Sequence, residues 1–211
     1  MTGLRERKKE QTRQRIAEVA ARLFATQGFD QVSIVEVAQA AEVSEQTVYN
    51  YFPAKHDLVL DRAEEIRERY ARTVANRSKE TSPAAALRTE ARADIERYRH
   101  ADLELARGEA PALCVSHPSL RRFVLEVREQ QAETISAVII ETCPAVHPAV
   151  ARAHAAALVS VFQMMSDHIG RSVLEGAFQS DVADQLAAMV EVVLDHLDQH
   201  FRAPFPRGES P

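Results

Sequence analysis

Apolar residues recur at helical spacing along almost the whole chain. In the first such segment Ile16, Val19, Ala20, Leu23 and Phe24 fall at positions i, i+3, i+4, i+7 and i+8, which places them on one face of a helix. The 211 residues include only six glycines and nine prolines, and Ala, Glu and Arg are abundant, which favours helix over sheet. The sequence therefore predicts an all-α fold.

Caps and helix breakers divide the first 54 residues into three helices. Gly28 ends the first helix, and Ser33 with Glu36 forms an S-x-x-E capping box that opens a second, short helix. Ser44 is a natural N-cap for a third helix, which ends before Pro53 because the residue before a proline resists α geometry. Two short helices joined by a tight turn and braced by a longer helix are typical of a helix-turn-helix.

The outer faces of the third helix carry side chains that suit DNA, since Val48 and Phe52 can both face inward. Gln46 and Asn50 can form paired hydrogen bonds with adenine, and Thr47 can contact thymine. Tyrosine and serine hydroxyls and Lys55 suit phosphate oxygens, although the tyrosines could instead pack beneath a neighbouring element. Glu45 repels phosphate unless it accepts from a cytosine amine. The predicted DNA-binding residues are Ser33, Ser44, Glu45, Gln46, Thr47, Tyr49, Asn50, Tyr51 and Lys55.

Charge is distributed unevenly along the chain. The first 15 residues hold six basic and two acidic side chains, whereas residues 61–211 carry the whole net charge of −5. A basic leading segment on an acidic body suits a DNA-binding arm, and the alternative is a solvated tail. The predicted DNA contacts of this arm are Arg5, Arg7, Lys8 and Lys9.

Residues 12–58 resemble the DNA-binding domain of the tetracycline-repressor (TetR) family of bacterial transcription regulators. The resemblance rests on G-F after the first helix, on the V-A-x-A-A-x-V-S turn and on the ending T-V-Y-x-Y-F-x-x-K-x-x-L. It implies a second, larger helical domain that binds small molecules and dimerises. Glu42 stands where the family often has glycine, which predicts a strained turn or a different φ. Ala54 replaces a usual cap, and Asp57 is expected to compensate partly.

The remaining chain is predicted to be helical up to a short tail. We expect a linking helix over 55–78, a helix from Ser82 to about Gly108, and a short one over 110–116. Three further helices are expected, one ending near Cys143, one over 148–175 and one over 182–201. The predicted domains are 1–54, with the helix-turn-helix and its basic arm, and 55–203, the regulatory body. Residues 204–211 are predicted to be a disordered tail.

The family resemblance implies that the last two helices of each protomer form a four-helix dimer interface. Small residues in the run VARAHAAALVSVF would let a partner helix approach closely, although both helices could simply complete a monomer core. A two-fold dimer would bind a palindromic site in double-stranded DNA. The predicted interface residues are Ala153, Ala157, Val161, Leu186, Val190, Val193 and Leu197.

A small apolar effector is the expected ligand of the body. Residues on inward-facing stripes could line its cavity, and ordinary core packing is the alternative for each. The predicted ligand-binding residues are Tyr98, Phe123, Val127, Phe162 and Met165, with Gln131 and Thr134 as polar contacts.

The sequence gives less support to the hypothesis of an enzyme or of a metal site. His196 and His200 have a spacing that could hold zinc, but no glutamate at the zincin position and no third ligand lie nearby, so no metal or cofactor is predicted. Cys114 and Cys143 are expected to be free thiols. With no membrane span and no secretory signal expected, we predict a cytoplasmic, ligand-responsive, dimeric transcription repressor that is not an enzyme.

Two other functional classes stay open at the level of the sequence. One is an architectural DNA-binding protein without an effector, which would usually be basic overall and would not need so large a helical body. The other is a helical enzyme with an incidental helix-turn-helix, although the chain has no glycine-rich phosphate loop and no nucleophile elbow.

Overall fold

The computed structural model describes residues 3–202, and within this range every regular element is a helix. The predicted all-α fold is therefore confirmed. The helices are α1 (Leu4–Gln27), α2 (Ile34–Ala40), α3 (Glu45–Tyr51), a 3₁₀ turn (Lys55–Leu58), α4 (Ala63–Ala75), α5 (Pro83–Arg99), α6 (Leu103–Ala106), α7 (Ala110–Ser116), α8 (Pro118–Thr142), α9 (Pro148–Leu174) and α10 (Ser180–Arg202). The tail predicted over 204–211 lies outside the described residues.

Side-chain caps set the starts of α2 and α3, as the sequence predicts. Ser33 Oγ accepts from the Glu36 amide at 3.2 Å, and the Glu36 carboxylate accepts from the Ser33 amide at 2.7 Å. Ser44 Oγ accepts from the Thr47 amide at 3.1 Å. Each cap satisfies a backbone donor that the first turn of a helix leaves unpaired.

The turn between α2 and α3 has the unusual backbone that its sequence suggests. Glu42 has φ of 52° and is the one non-glycine residue with positive φ among those described. An L residue in this region carries roughly 1–3 kcal/mol of strain, which the surrounding structure must hold in place. The expectation of a different φ at this position is confirmed.

The linking helix predicted over 55–78 is wrong, because the chain breaks between Leu58 and Ala63. Leu58 and Val59 are both buried in a core that α1–α3 share, whereas Ile66 packs against the core of the body. Arg13 also donates to the backbone carbonyl of Asp61 inside the break. The segment therefore passes from one core to the other before α4 begins.

Two further boundaries differ from the predictions. The helix expected to run to Gly108 ends at Arg99, and the Asp102 carboxylate accepts from the Glu104 amide at 3.0 Å to open the short α6. The basic N-terminal segment is helical, because α1 already begins at Leu4.

The buried residues form two clusters. The N-terminal core joins α1–α3 and the 3₁₀ turn, and it also includes Leu113 of α7 and Leu120 of α8. The body core is built from α4–α10, where α9 packs against α7, α8 and α10. Gly170 permits the close approach of α7 to α9, since a Cβ there would lie 2.1 Å from the carbonyl oxygen of Pro111.

The N-terminal core rests on the segment from α6 to the start of α8. A Cβ on Gly108 would lie 1.8 Å from the carbonyl oxygen of Ala21, so α1 touches this segment backbone to backbone. Phe123 of α8 stacks on His56, with ring centroids 3.5 Å apart. A movement of α7 or α8 would therefore reach α1 and the residues that follow α3.

Between residues 3 and 202 no helix combines the length and the apolar character that crossing a membrane requires.

Candidate DNA-binding surface and ligand cavity

Two of the predicted base-reading side chains, Gln46 and Asn50, lie exposed on α3, and the third, Thr47, is half-buried, while the inward face of the helix is anchored. Val48 and Phe52 are fully buried, which fixes the rotation of α3 about its axis. Gln46 Nε2 donates to Asn50 Oδ1 at 3.1 Å. The pair leaves the amide oxygen of Gln46 and the amide nitrogen of Asn50 free to contact a base edge.

The serine and threonine hydroxyls predicted to contact DNA already have partners within the chain. Ser44 Oγ lies 2.8 Å from Thr47 Oγ1, and Ser33 Oγ donates to the Glu36 carboxylate at 2.8 Å. Ser33 and Ser44 hold the starts of α2 and α3 in place, so their direct effect is on helix geometry. Glu45 is exposed in the first turn of α3.

The two tyrosines of α3 have different surroundings. Tyr49 is 44% exposed. Tyr51 is half-buried and packs against the N-terminal core. Tyr51 therefore packs in part against its own domain, which was the alternative to a DNA contact. The hydroxyl of Tyr49 is the better placed of the two to contact a phosphate.

Lys55 is held in a defined position rather than free in solvent. Its Nζ lies 4.4 Å from the centroid of the Phe29 ring and 3.4 Å from the carbonyl oxygen of Asp30. Partial burial lowers its pKa, against the opposing charges of Asp30 and Glu36. The Asp57 carboxylate accepts from the Ala54 amide at 2.8 Å and so replaces the missing cap at the start of the 3₁₀ turn.

The basic side chains of the N-terminal segment project from the first turns of α1. Arg7, Lys8 and Lys9 are exposed. The side chain of Arg5 lies outside what the structure describes. A helical segment presents these charges on a fixed surface next to Tyr51, with which Lys8 and Lys9 line a shallow groove.

A cavity of about 600 Å³ lies between α1, the 58–63 segment and helices α4, α5, α7, α8 and α9. Its volume is within the usual range for small-molecule sites. Five of the seven predicted ligand-binding residues line it, namely Tyr98, Val127, Gln131, Phe162 and Met165.

The other two predicted ligand-binding residues lie elsewhere. Phe123 is not at the cavity, because its ring is stacked on His56 at the contact with the N-terminal core. Thr134 also lies off the cavity wall, and its Oγ1 donates to the Gln130 carbonyl at 2.8 Å. Apolar or polar character at helical spacing did not distinguish these two positions from those that face the cavity.

Buried tyrosine–carboxylate pairs form one wall of the cavity. The Tyr70 hydroxyl donates to Asp94 at 2.7 Å, and the Tyr98 hydroxyl donates to Glu109 at 2.8 Å. Burial and then the adjacent carboxylate raise the pKa of both tyrosines well above the ordinary value. Both phenols therefore stay protonated and donate steadily, which fixes the shape of this wall.

Several charged residues of the cavity were missed from the sequence. Asp61 lies in the segment between the two cores, and burial raises its pKa from 3.8 to about 6. Arg128 follows Val127 on α8 and also lines the cavity. Val124 lies four residues before Arg128 and Gln131 three residues after it, so all three share one face of α8. This spacing could have identified Arg128 as a cavity residue from the sequence.

The predicted dimer residues divide by burial within a single chain. Val161, Leu186 and Val190 are buried in the body core, so their side chains are not presented at the surface of a protomer. Ala157, Val193 and Leu197 are half-buried, and Ala153 is exposed. The most exposed large apolar side chain on α10 is Val192, at 59%, followed by Met189.

The two histidines considered as a zinc pair and the two cysteines lie apart from any cluster of metal-binding side chains among the described residues. His200 Nδ1 lies 2.7 Å from the carbonyl oxygen of His196, one turn earlier in α10. Across the residues that the structure describes, no three His, Cys, Asp or Glu side chains come together as a metal site. Cys114 and Cys143 form no disulfide, and burial raises the pKa of Cys114 to about 11.

Residues 16–61 match the family model described as "Bacterial regulatory proteins, tetR family". Among curated proteins, the HTH-type transcriptional regulator TcmR of Streptomyces glaucescens is 30% identical over 102 residues, which are 48% of this chain and 45% of that protein. The HTH-type transcriptional regulator AcrR of Shigella flexneri is 45% identical over 49 residues, 23% of each chain. These matches span less than half the length of the curated relatives.

Solved structures resemble the chain over most of its length. A transcriptional regulator FadR from Bacillus subtilis, in complex with stearoyl-CoA, has a TM-score of 0.56 and 18% identity, covering 88% of this chain and 97% of that one. FadR of Thermus thermophilus, in complex with lauroyl-CoA, has a TM-score of 0.53 and 21% identity, covering 94% and 100%. At such identities the likeness concerns the fold alone.

Proposed function

Because the chain belongs to the tetR family of bacterial regulatory proteins through residues 16–61, we propose that it is a ligand-responsive, dimeric transcription repressor. The proposal is supported by the position of two candidate sites, a DNA-binding helix and a ligand cavity. An exposed polar helix, α3, and a cavity of about 600 Å³ both border one small N-terminal core, to which Val48 of α3 and the cavity-lining residues Ala17 and Val59 belong. We propose that the protein acts in the cytoplasm and binds double-stranded DNA.

In this proposal α3 lies in the major groove and reads bases through its exposed amides. Gln46 and Asn50 are proposed to contact base edges, and Thr47 offers a methyl group to thymine. Tyr49 and Lys55 are proposed to contact phosphates. The fixed position of Lys55 over Phe29 supports its role, because a pre-positioned cation loses little freedom on binding.

The N-terminal turns of α1 are proposed to contribute phosphate contacts. Arg7, Lys8 and Lys9 are exposed on these turns, and so present a basic surface. Such contacts act through release of counterions and do not discriminate between sequences. The role of Glu45 in this surface stays a prediction that depends on the base it would meet.

Dimerisation is proposed through the outer faces of α9 and α10. Ala153 and Ala157 on α9 are small, and Met189 and Val192 on α10 are exposed apolar side chains. Together they offer a surface that a second copy could cover. A two-fold dimer would place its two α3 helices about one DNA turn apart, roughly 34–36 Å, on a palindromic operator.

Ligand binding is proposed to change DNA affinity through contacts rather than through a continuous helix. α1 and the 58–63 segment form one side of the cavity, so an occupant would touch the N-terminal domain itself. Gly108 against Ala21 and Phe123 against His56 provide two further contacts between the domains. A ligand that prefers one arrangement of these contacts would shift the spacing of the two α3 helices.

Selection from a randomised duplex library with the purified protein tests the proposal. The proposal predicts enrichment of a two-fold symmetric motif whose half-sites lie about one helical turn apart. Binding of the enriched duplex should saturate at two protomers. Recovery of no motif, or of an asymmetric one bound by a single protomer, would contradict it.

A further inference from the structure

Four arginine side chains line the cavity: Arg13, Arg62, Arg97 and Arg128. Three of them have oxygen partners within the chain. Arg62 Nε lies 3.3 Å from a carboxylate oxygen of Glu65, and Arg97 Nη2 lies 3.0 Å from one of Glu109. Arg13 donates to a backbone carbonyl. Each of these three guanidinium groups therefore has a hydrogen-bond acceptor within the chain.

Arg128 differs from the other three because it has no hydrogen bond or ion pair within residues 3–202. Its Nε is buried without a hydrogen-bond partner. The carboxylate of Asp167 is close enough to act on its charge, but that carboxylate accepts from Gln163. Arg121, one heptad earlier on α8, adds a like charge. A half-buried guanidinium whose Nε has no partner is costly to the fold, and an anion bound to it would offset that cost.

The surroundings of Arg128 are apolar on both sides of the cavity. Val124 lies one helical turn before Arg128 on α8, and both it and Val127 line the cavity. Phe162 and Met165 of α9 are buried and line the same cavity. A single cation next to such a surface matches a molecule with one acidic group and an apolar body.

The acidic residues of the cavity argue against cationic and multiply charged anionic ligands. Asp94 and Glu109 are already paired with arginine and tyrosine, so a cationic ligand would have to displace those partners. The lining contains six acidic residues against four arginines, which repels a dianionic phosphate more strongly than a monoanion. Of these anions, a monocarboxylate therefore fits the charge of the site best.

We propose that the cavity binds an amphipathic monocarboxylate, with its carboxylate on Arg128 and its apolar chain against Val127, Phe162 and Met165. This inference rests on the proposed function, since it names the chemical class of the effector. A planar guanidinium can hold a carboxylate through two parallel hydrogen bonds, which also orients the ligand in the cavity.

Calorimetric titration of the full chain without DNA, near pH 7, tests the proposal. The probes are octanoate, decanoate and dodecanoate, together with the alcohol and the amine of each chain length and lauroyl-CoA. At this pH the acids are ionised and the amines are protonated. The variants are Arg128→Gln, Arg128→Lys and the control Arg121→Gln, which removes an exposed arginine of the same helix from outside the cavity.

At least one carboxylate should bind the native protein more tightly than its alcohol, its amine or lauroyl-CoA. Arg128→Gln should weaken that carboxylate about 10- to 150-fold, as expected for loss of a charged hydrogen-bonded pair, and leave the alcohol unchanged. Arg128→Lys should retain part of the affinity, and Arg121→Gln, which removes only a neighbouring like charge, should change the affinity far less than Arg128→Gln does. Arg128→Gln should unfold at no lower temperature than the native protein, because it removes a half-buried charge whose Nε has no partner.

Three results would overturn the proposal. One is that no carboxylate of the panel binds. Another is that the alcohol, the amine or the coenzyme A thioester binds as tightly as the acid. The third is that the affinity for the acid is the same in both Arg128 variants as in the native protein. Because no DNA is present, failure of duplex selection would refute the proposed regulatory function separately and leave this result standing.

Discussion

Replacing Asn50 by alanine should weaken binding to the cognate operator while leaving non-specific binding nearly unchanged. Each good bidentate contact between an amide side chain and adenine is worth about 1–3 kcal/mol of discrimination. Two protomers on a palindromic site would lose about 2–6 kcal/mol together, which is about 30-fold in affinity at the lower limit. Replacing Gln46 by alanine should weaken binding to the operator by a similar factor.

The hydrogen bond between the two amides makes a sharper prediction about the double variant. Gln46 Nε2 donates to Asn50 Oδ1 at 3.1 Å, so each side chain restricts the rotamer of the other. Removal of either one should release its neighbour, and the two losses should not add. We expect an interaction of about 0.5–3 kcal/mol in a double-mutant cycle on the cognate operator.

Fluorescence anisotropy with the selected operator and with a scrambled duplex, at matched salt, measures these losses. Gln179→Ala is a suitable control because Gln179 is an exposed glutamine in the loop before α10. Equal losses on the operator and on the scrambled duplex would refute the assignment of Gln46 and Asn50 as base readers. Strict additivity would refute their mutual positioning.

Three other predictions concern stability and salt dependence. Gly108→Ala should destabilise the fold by about 1–3 kcal/mol in urea unfolding, because its Cβ would lie 1.8 Å from the Ala21 carbonyl oxygen, whereas Gly3→Ala meets nothing within 4 Å and should be neutral. Asp61→Asn should stabilise by about 1–3 kcal/mol at pH 8, because the folded-state pKa of Asp61 is raised to about 6, so its ionised form costs stability above that pH. The gain should shrink as the pH falls below 6 and disappear by about pH 3, where the carboxyl is protonated in both the folded and the unfolded chain. Lys55→Ala should weaken all duplexes alike and lower the salt slope by about 0.9 per protomer bound, and an unchanged slope would exclude a phosphate contact.

The helix-turn-helix could be predicted from the sequence because its determinants are local. The apolar spacing in α1 and the caps at Ser33 and Ser44 act within one or two helical turns, and the structure confirms them. Even the positive φ of Glu42 follows from a residue standing where glycine is usual. Exposure of Gln46 then follows from the burial of Val48 on the opposite face.

The break after Leu58 could not be predicted in the same way, because tertiary contacts cause it. No glycine or proline marks the 58–63 segment, and its sequence suits a helix. The chain leaves helical geometry where Val59 must enter the N-terminal core and Ile66 the body core, with Arg13 bound to the Asp61 carbonyl between them. Helix propensity predicts little in a segment whose two ends are buried in two separate cores.

The cavity was predicted only in part for a similar reason. Helical spacing identifies the inward side of α8 but not which inward side chains meet an empty space and which meet another side chain. Phe123 was expected to line the cavity, but its ring instead stacks on the imidazole ring of His56. Arg128 was overlooked because its significance comes from the partners it lacks, which only the assembled fold shows.

The central claim, that a small molecule controls DNA binding by this chain, is tested most directly by operator affinity. The measurement compares the affinity for the selected duplex with and without a saturating small molecule that raises the melting temperature of the protein. Operator binding should be about 5- to 150-fold weaker in the presence of the ligand, and by reciprocity the protein on its operator should lose the same factor in ligand affinity. Equal operator affinities with and without the bound ligand would contradict it.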